Sequence, residues 1–166
     1  MLQDVVPDKP CRGISQGIHI AVFHPVRIAA REAGEAVLRL LQEGVCPRDI
    51  ITKAAIYNTF VVDTALGGST NSILHLMAIA YEAGVDFSLT TVDEISRRTP
   101  HLCKISPSGE YRIEDLDRAG GVPALMKEVK KHLDLKVKRV SGLSLAEELA
   151  AAIESVLPAR SKDAIT

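Results

Sequence analysis

The chain has 166 residues, 46% of them hydrophobic and 25% charged, with a formal net charge of −1. A chain of that length buries about 68–70% of its unfolded surface, enough for a core, and this composition excludes intrinsic disorder. Near-neutral charge, 4% aromatic content and the absence of Trp argue against a nucleic-acid or membrane binder.

Residues 1–17 hold two prolines and two glycines without a clean period, and read as an irregular lead-in. Ile18 to Phe23 is apolar enough for a short strand, though so few residues cannot fix a period. From Pro25 the pattern turns helical. Ile28, Ala29, Ala33, Ala36, Val37, Leu40 and Leu41 recur at steps of three and four, predicting a helix over 25–43 with Gly44 at its C′ position. Pro47-Arg48-Asp49 opens a second helix with Asp49 as its N-cap, running to Leu66 and apolar on most sides. Gly67-Gly68 breaks it. A third helix follows, capped by Ser69 or Thr70 and stopped at Gly84.

Thr91-Val92-Asp93-Glu94 fits a capping box and predicts a short helix to Arg98, ended by Pro100. Ser106-Pro107-Ser108-Gly109 reads as a turn between extended pieces. Short helices are expected over 113–119 and 123–132, separated by Gly120-Gly121. Leu135 to Val140 alternates apolar and basic residues, as an exposed strand does. Ser144-Leu145-Ala146-Glu147 is a second capping box, opening a helix to Val156 that Pro158 ends. The expected class is mainly α with a few short strands (α+β). Residues 18–157 are expected to form a single domain, with 158–166 a loose tail.

No apolar run reaches the roughly 18 residues of a membrane span. The segment from Met1 has neither a basic n-region nor an apolar h-region, so no signal peptide and a cytoplasmic location are expected. Cys11, Cys46 and Cys103 form no CxxC pair and no disulfide framework. They read as free thiols of a reducing compartment; a three-thiolate iron–sulfur site is chemically open to them, but the wide spacing gives it little support. His24, His101 and His132 stand apart, with no metal-ligand spacing. The stretch from Lys127 to Arg139 sets Lys127, Lys130, Lys131, Lys136, Lys138 and Arg139 against Glu128 and Asp134. It reads as a solvated basic face, or as a partner surface.

The segment richest in chemistry is Gly67, Gly68, Ser69, Thr70 and Asn71. Two apolar helices meet at two glycines and three small polar residues. Such a break is either a capped turn or a helix start that offers N–H groups and hydroxyls to an anion. It lacks the spacing of a Walker A or dinucleotide loop. His75 lies one turn beyond Asn71, as a site acid or base or as a hydrogen-bonded core histidine. Asp63 is a carboxylate among apolar residues and requires partners or a raised pKa.

These residues carry a resemblance. Gly67 to Asn71, Leu74-His75-Leu76 and Glu82-Ala83-Gly84-Val85-Asp86 closely resemble the dihydroxy-acid dehydratase and phosphogluconate dehydratase family. The likeness continues through Pro47 to Ile50, Ile95 to Arg98, Pro100, Leu102-Cys103-Lys104, Pro107-Ser108-Gly109, Glu114 to Leu116, Arg118 to Pro123 and Ser141 to Glu147. It spans about residues 25–157 and favours the dihydroxy-acid branch.

The resemblance implies a helical portion of a larger α/β N-terminal domain. It implies a hydro-lyase that turns a 2,3-dihydroxy acid into a 2-oxo acid in branched-chain amino-acid biosynthesis. A base takes the proton beside the carboxylate, hydroxide leaves, and the enol tautomerises. In the full-length family enzyme an iron–sulfur cluster and Mg²⁺ supply the Lewis acid. The family's cluster cysteines, metal carboxylates and catalytic serine belong to segments not matched here. No catalytic residue, metal ligand or resident cofactor is therefore expected on this chain alone. Gly67, Gly68, Ser69, Thr70, Asn71 and His75 are the expected site-proximal residues. The expected partner is a dihydroxy acid in the parent enzyme, with no nucleic acid, no membrane and a homodimer as one option. The alternative function is a freestanding, non-enzymatic interaction or anion-binding module.

Overall fold

The computed structural model describes residues 16–106 and 109–155. The chain divides into two compact units, residues 1–45 and 46–166. The described part of the first is built on α1 (Gln16–Glu43). Exposed Arg31–Glu35 and Arg39–Glu43 pairs at 2.9 and 3.3 Å brace it one turn apart. Gly44 takes φ +69, and the Val45 N–H donates to the Leu40 carbonyl at 2.9 Å, so the expected C′ glycine closes the helix.

The expectation of a strand at Ile18 to Phe23 is corrected: α1 runs through that segment. No turn signal separates it from the periodic pattern that follows, so the helix simply continues. Pro25 therefore lies inside α1 rather than at its first turn, where its missing N–H forgoes one backbone bond.

The second unit contains α2 (Pro47–Ile50), α3 (Lys53–Leu66), α4 (Thr70–Glu82), α5 (Leu89–Arg98), α6 (Ile113–Arg118) and α7 (Gly121–Glu128). A 3-10 turn over Lys130–His132 and α8 (Leu145–Ser155) complete it. Extended pairing among the described residues is confined to isolated bridges, Ile105 with Tyr111 and Lys138 with Ser144. The mainly helical class read from the sequence is the one the structure has.

Helix α3 lies at the centre and packs against α4, α5 and α7. It buries Ile56, Phe60, Val61 and Ala65 against Ile95, Leu116, Leu125 and Val129. Its all-round apolarity is the signature of that position. The Phe60 ring stacks on Phe87 with centroids 5.3 Å apart. Asn58, 5% exposed, is the polar exception on α3. Its amide donates to the Asp134 carbonyl and accepts from the Asp134 N–H, both at 2.8 Å. A second cluster of Met126, Leu145 and Leu149 seats α8 on α7.

Several boundaries differ from the sequence expectation. The helix expected from Asp49 to Leu66 is two helices. The Asp49 carboxylate occupies the third helical position of α2 and accepts the Cys46 N–H at 2.7 Å, so Cys46 is the N-cap. The chain resets at Thr52, whose hydroxyl accepts the Ala55 N–H at 3.2 Å and starts α3. Helix α5 likewise starts earlier than Thr91. Ser88 is its N-cap, accepting the Thr91 N–H at 3.2 Å. Leu135 to Val140 makes a bridge and turn instead of a strand, because its partner segment is only the short run into α8. The Leu145 and Ala146 N–H groups donate to the Val137 and Leu135 carbonyls. The helix expected over 123–132 starts at Gly121, and its last turn tightens to 3-10 geometry. The capping box at Ser144 is present in both directions, Ser144 N–H to Glu147 Oε2 at 2.7 Å and Glu147 N–H to Ser144 Oγ at 3.3 Å. Val156, the tail 158–166, Pro107-Ser108 and most of the lead-in lie outside the described residues.

Candidate functional site

The site is built on the end of α3. Gly67 takes φ +82 and ψ +43, a left-handed conformation that side chains disfavour. The Gly68 N–H reaches back to the Asp63 carbonyl at 2.9 Å, and the Gly67 N–H to Thr64 at 3.2 Å. That pair of bonds is a Schellman closure, which satisfies two of the orphan carbonyls at the helix end. A third, at Ala65, accepts the Leu102 and Cys103 N–H groups at 2.9 and 3.2 Å. The 101–103 segment is thereby held against the break.

Each glycine is crowded. A Cβ on Gly67 would meet the His101 ring, and a Cβ on Gly68 would collide with the Asp63 carboxyl group. Around them lies a cavity of about 320 Å³, lined by Asp63, Thr64, Ser96, Thr99 and His101 with apolar Phe60, Ile73 and Val92. Thr99 is 7% exposed. Burial pushes the Asp63 carboxyl above the usual carboxylate range, and the Ser72 hydroxyl draws it partly back. Burial likewise raises the Cys103 thiol.

Of the residues expected from sequence, Gly67 and Gly68 are brought to the cavity wall. Ser69 is the N-cap of α4 in extended conformation, but its side chain makes no cap bond. Ser69, Thr70 and Asn71 stand exposed on the first turn. His75 is exposed and lines a different groove, with Arg48, Ile51, Ile79 and Glu82, where Arg48 donates to the Glu82 carbonyl at 3.2 Å. Asp63, singled out in the sequence, belongs to the cavity. Ser96, Thr99 and His101 were not linked to it by sequence. Their nearest signal is Pro100, which ends α5 beside them and turns the chain toward the α3 terminus.

Comparison with known proteins decides the family. Residues 15–148 match the family described as dihydroxy-acid/6-phosphogluconate dehydratase N-terminal. The chain belongs to this dehydratase family. It is 50% identical over 123 residues to a dihydroxy-acid dehydratase of Dehalococcoides mccartyi strain 195, covering 74% of this chain and 22% of that protein. The same identity holds over 133 residues with the Aquifex aeolicus dihydroxy-acid dehydratase, covering 79% of this chain and 24% of the relative. With the Moorella thermoacetica dihydroxy-acid dehydratase it holds over 128 residues, 76% of this chain and 23% of the relative. The chain thus spans under a quarter of the length of these dehydratases.

An iron–sulfur cluster or Mg²⁺ would need converging donors. Among the described residues no group of three or more His, Cys, Asp or Glu stands together to hold a metal ion. Cys46 is exposed and Cys103 is buried under the α3 terminus. The described donor set therefore does not fit a cluster by itself. No described helix is long and apolar enough to cross a membrane.

Proposed function

We propose that this chain supplies the helical portion of the N-terminal domain of a dihydroxy-acid dehydratase, over residues 18–157. The observation that carries this is half identity to dihydroxy-acid dehydratases across about three quarters of the chain. The proposed reaction is loss of water from a 2,3-dihydroxy acid to give a 2-oxo acid. In the whole enzyme the Gly67–Asn71 break lies beside the substrate, with His75 on the same helix one turn further. The exposed first turn of α4 there offers N–H groups and hydroxyls to a carboxylate. Such donors bind and orient the acid; they do not themselves break a bond. The lyase chemistry belongs to the assembled cytoplasmic enzyme with its iron–sulfur cluster and Mg²⁺, and the isolated chain is inactive.

Segment exchange tests this. Residues 15–148 replace the matching segment of the Aquifex aeolicus dehydratase, and 2-oxo acid formation is measured after anaerobic cluster loading. The expected chimera keeps activity within about tenfold of its parent. A folded, cluster-loaded chimera that forms no 2-oxo acid refutes the assignment. The isolated chain, taken through iron–sulfide reconstitution, is expected to form no 2-oxo acid. A stable coloured and active preparation would overturn the inactivity of the chain alone.

A further inference from the structure

We propose that Asp63 and His101 are positioning residues that clamp the Gly67–Gly68 break, and that the two glycines are required for different reasons. This deepens the assignment of the break to the dehydratase site, and rests on it for its catalytic consequence alone.

The clamp follows from how the space is filled. Asp63 sits on the last turns of α3, and its side chain folds over the Cα of Gly68. It occupies the volume any larger residue at 68 would need. The same residue's carbonyl accepts the Gly68 N–H, so Asp63 holds Gly68 from both its backbone and its side chain. The Ser72 hydroxyl, in the first turn of α4, faces the Asp63 carboxyl and offsets part of the upward shift that burial imposes on it. One residue of α3 thus holds the break by two routes, its carbonyl and its carboxyl group.

His101 acts on the neighbouring glycine. Its ring lies against the Cα of Gly67, and the N–H groups of Leu102 and Cys103 anchor its segment to the Ala65 carbonyl. Gly67 carries a second demand that Gly68 does not, a φ of +82. Relieving the crowding at Gly68 should therefore rescue a larger residue there. At Gly67 it should not, because the backbone strain persists.

The experiment is a pair of double-variant cycles in the full chain, read by amide hydrogen exchange at Ser72, whose N–H bonds the Ser69 carbonyl at 3.0 Å. Gly68→Ala is expected to speed exchange at Ser72 by about tenfold through local opening. Adding Asp63→Gly to Gly68→Ala should return the rate to within about threefold of the wild type, the mark of a coupled pair. Asp63→Asn, which keeps the shape, should leave the rate near that of the wild type. Gly67→Ala should stay fast whether or not His101→Ala is added. The clamp is overturned if Gly68→Ala is harmless, or if Asp63→Gly fails to rescue it. The distinction between the glycines is overturned if His101→Ala restores Gly67→Ala.

In the Aquifex chimera, Asp63→Ala should lower kcat more than it raises KM, and Asp63→Asn should restore most of the loss. A chimera in which neither constant moves refutes the catalytic consequence. A chimera inactive with Asp63 intact refutes the family function instead, and the exchange cycle still decides the clamp.

Discussion

Asn58 offers the sharpest test of how the second unit holds together. It is 5% exposed and exchanges two 2.8 Å hydrogen bonds with the backbone of Asp134. The contact joins the centre of α3 to the segment leading into α8, 76 positions away in sequence. Asn58→Ala removes both bonds and strands the Asp134 N–H and carbonyl. Each hydrogen bond contributes about 1 kcal/mol net, and a buried unsatisfied partner costs about 1–3 kcal/mol. Asp134 is itself exposed, so water recovers part of the loss. The expected destabilisation is then about 2 kcal/mol, or roughly 6–12 °C in Tm for a unit of this size. Urea unfolding followed by circular dichroism measures it, with Thr59→Ala as the exposed neighbour, expected to stay within about 0.5 kcal/mol of wild type. An Asn58→Ala loss below about 0.5 kcal/mol would refute the claim that this amide pair ties the segment to α3.

Two pH effects have opposite signs. Burial raises the Asp63 carboxyl, so the folded state holds its proton more tightly than the unfolded state. That stabilisation is present at acid pH and lost as pH climbs from the ordinary carboxylate range through the raised value. Asp63→Asn should therefore gain on wild type as pH rises, and a pH-independent difference in urea midpoint would count against it. The Ser144 hydroxyl and backbone N–H hold Glu147 below its usual range. Its contribution is present above the ordinary carboxylate pKa and lost as pH falls through the depressed value. Acidification should lower the helical signal of wild type more than that of Glu147→Gln; equal losses would remove the capping box as its source.

Much of the backbone plan was legible because short-range chemistry writes it. Gly44 and Gly67 each close a helix where the periodic pattern ends, since a left-handed residue there costs glycine little. Ser144 and Glu147 spell a reciprocal cap that needs no distant partner. The same local logic misplaced α3 and α5. Asp49 and Thr91 are good caps, but so are Thr52 and Ser88, and one sequence holds no rule for choosing between them. Packing chose: α3 begins where Ile56 and Phe60 can face the core.

The sequence by itself determined the helical class, the family and the diglycine break, because periodicity, caps and ordered motifs are properties of neighbouring residues. Only the tertiary structure decided what surrounds that break. His101 reaches Gly67 across more than thirty intervening positions, its segment held by two N–H groups on the Ala65 carbonyl, and Thr99 joins the same cavity wall. His75, adjacent in sequence, faces another groove. Burial, which raises the Asp63 carboxyl and the Cys103 thiol, is likewise a property of the packed chain.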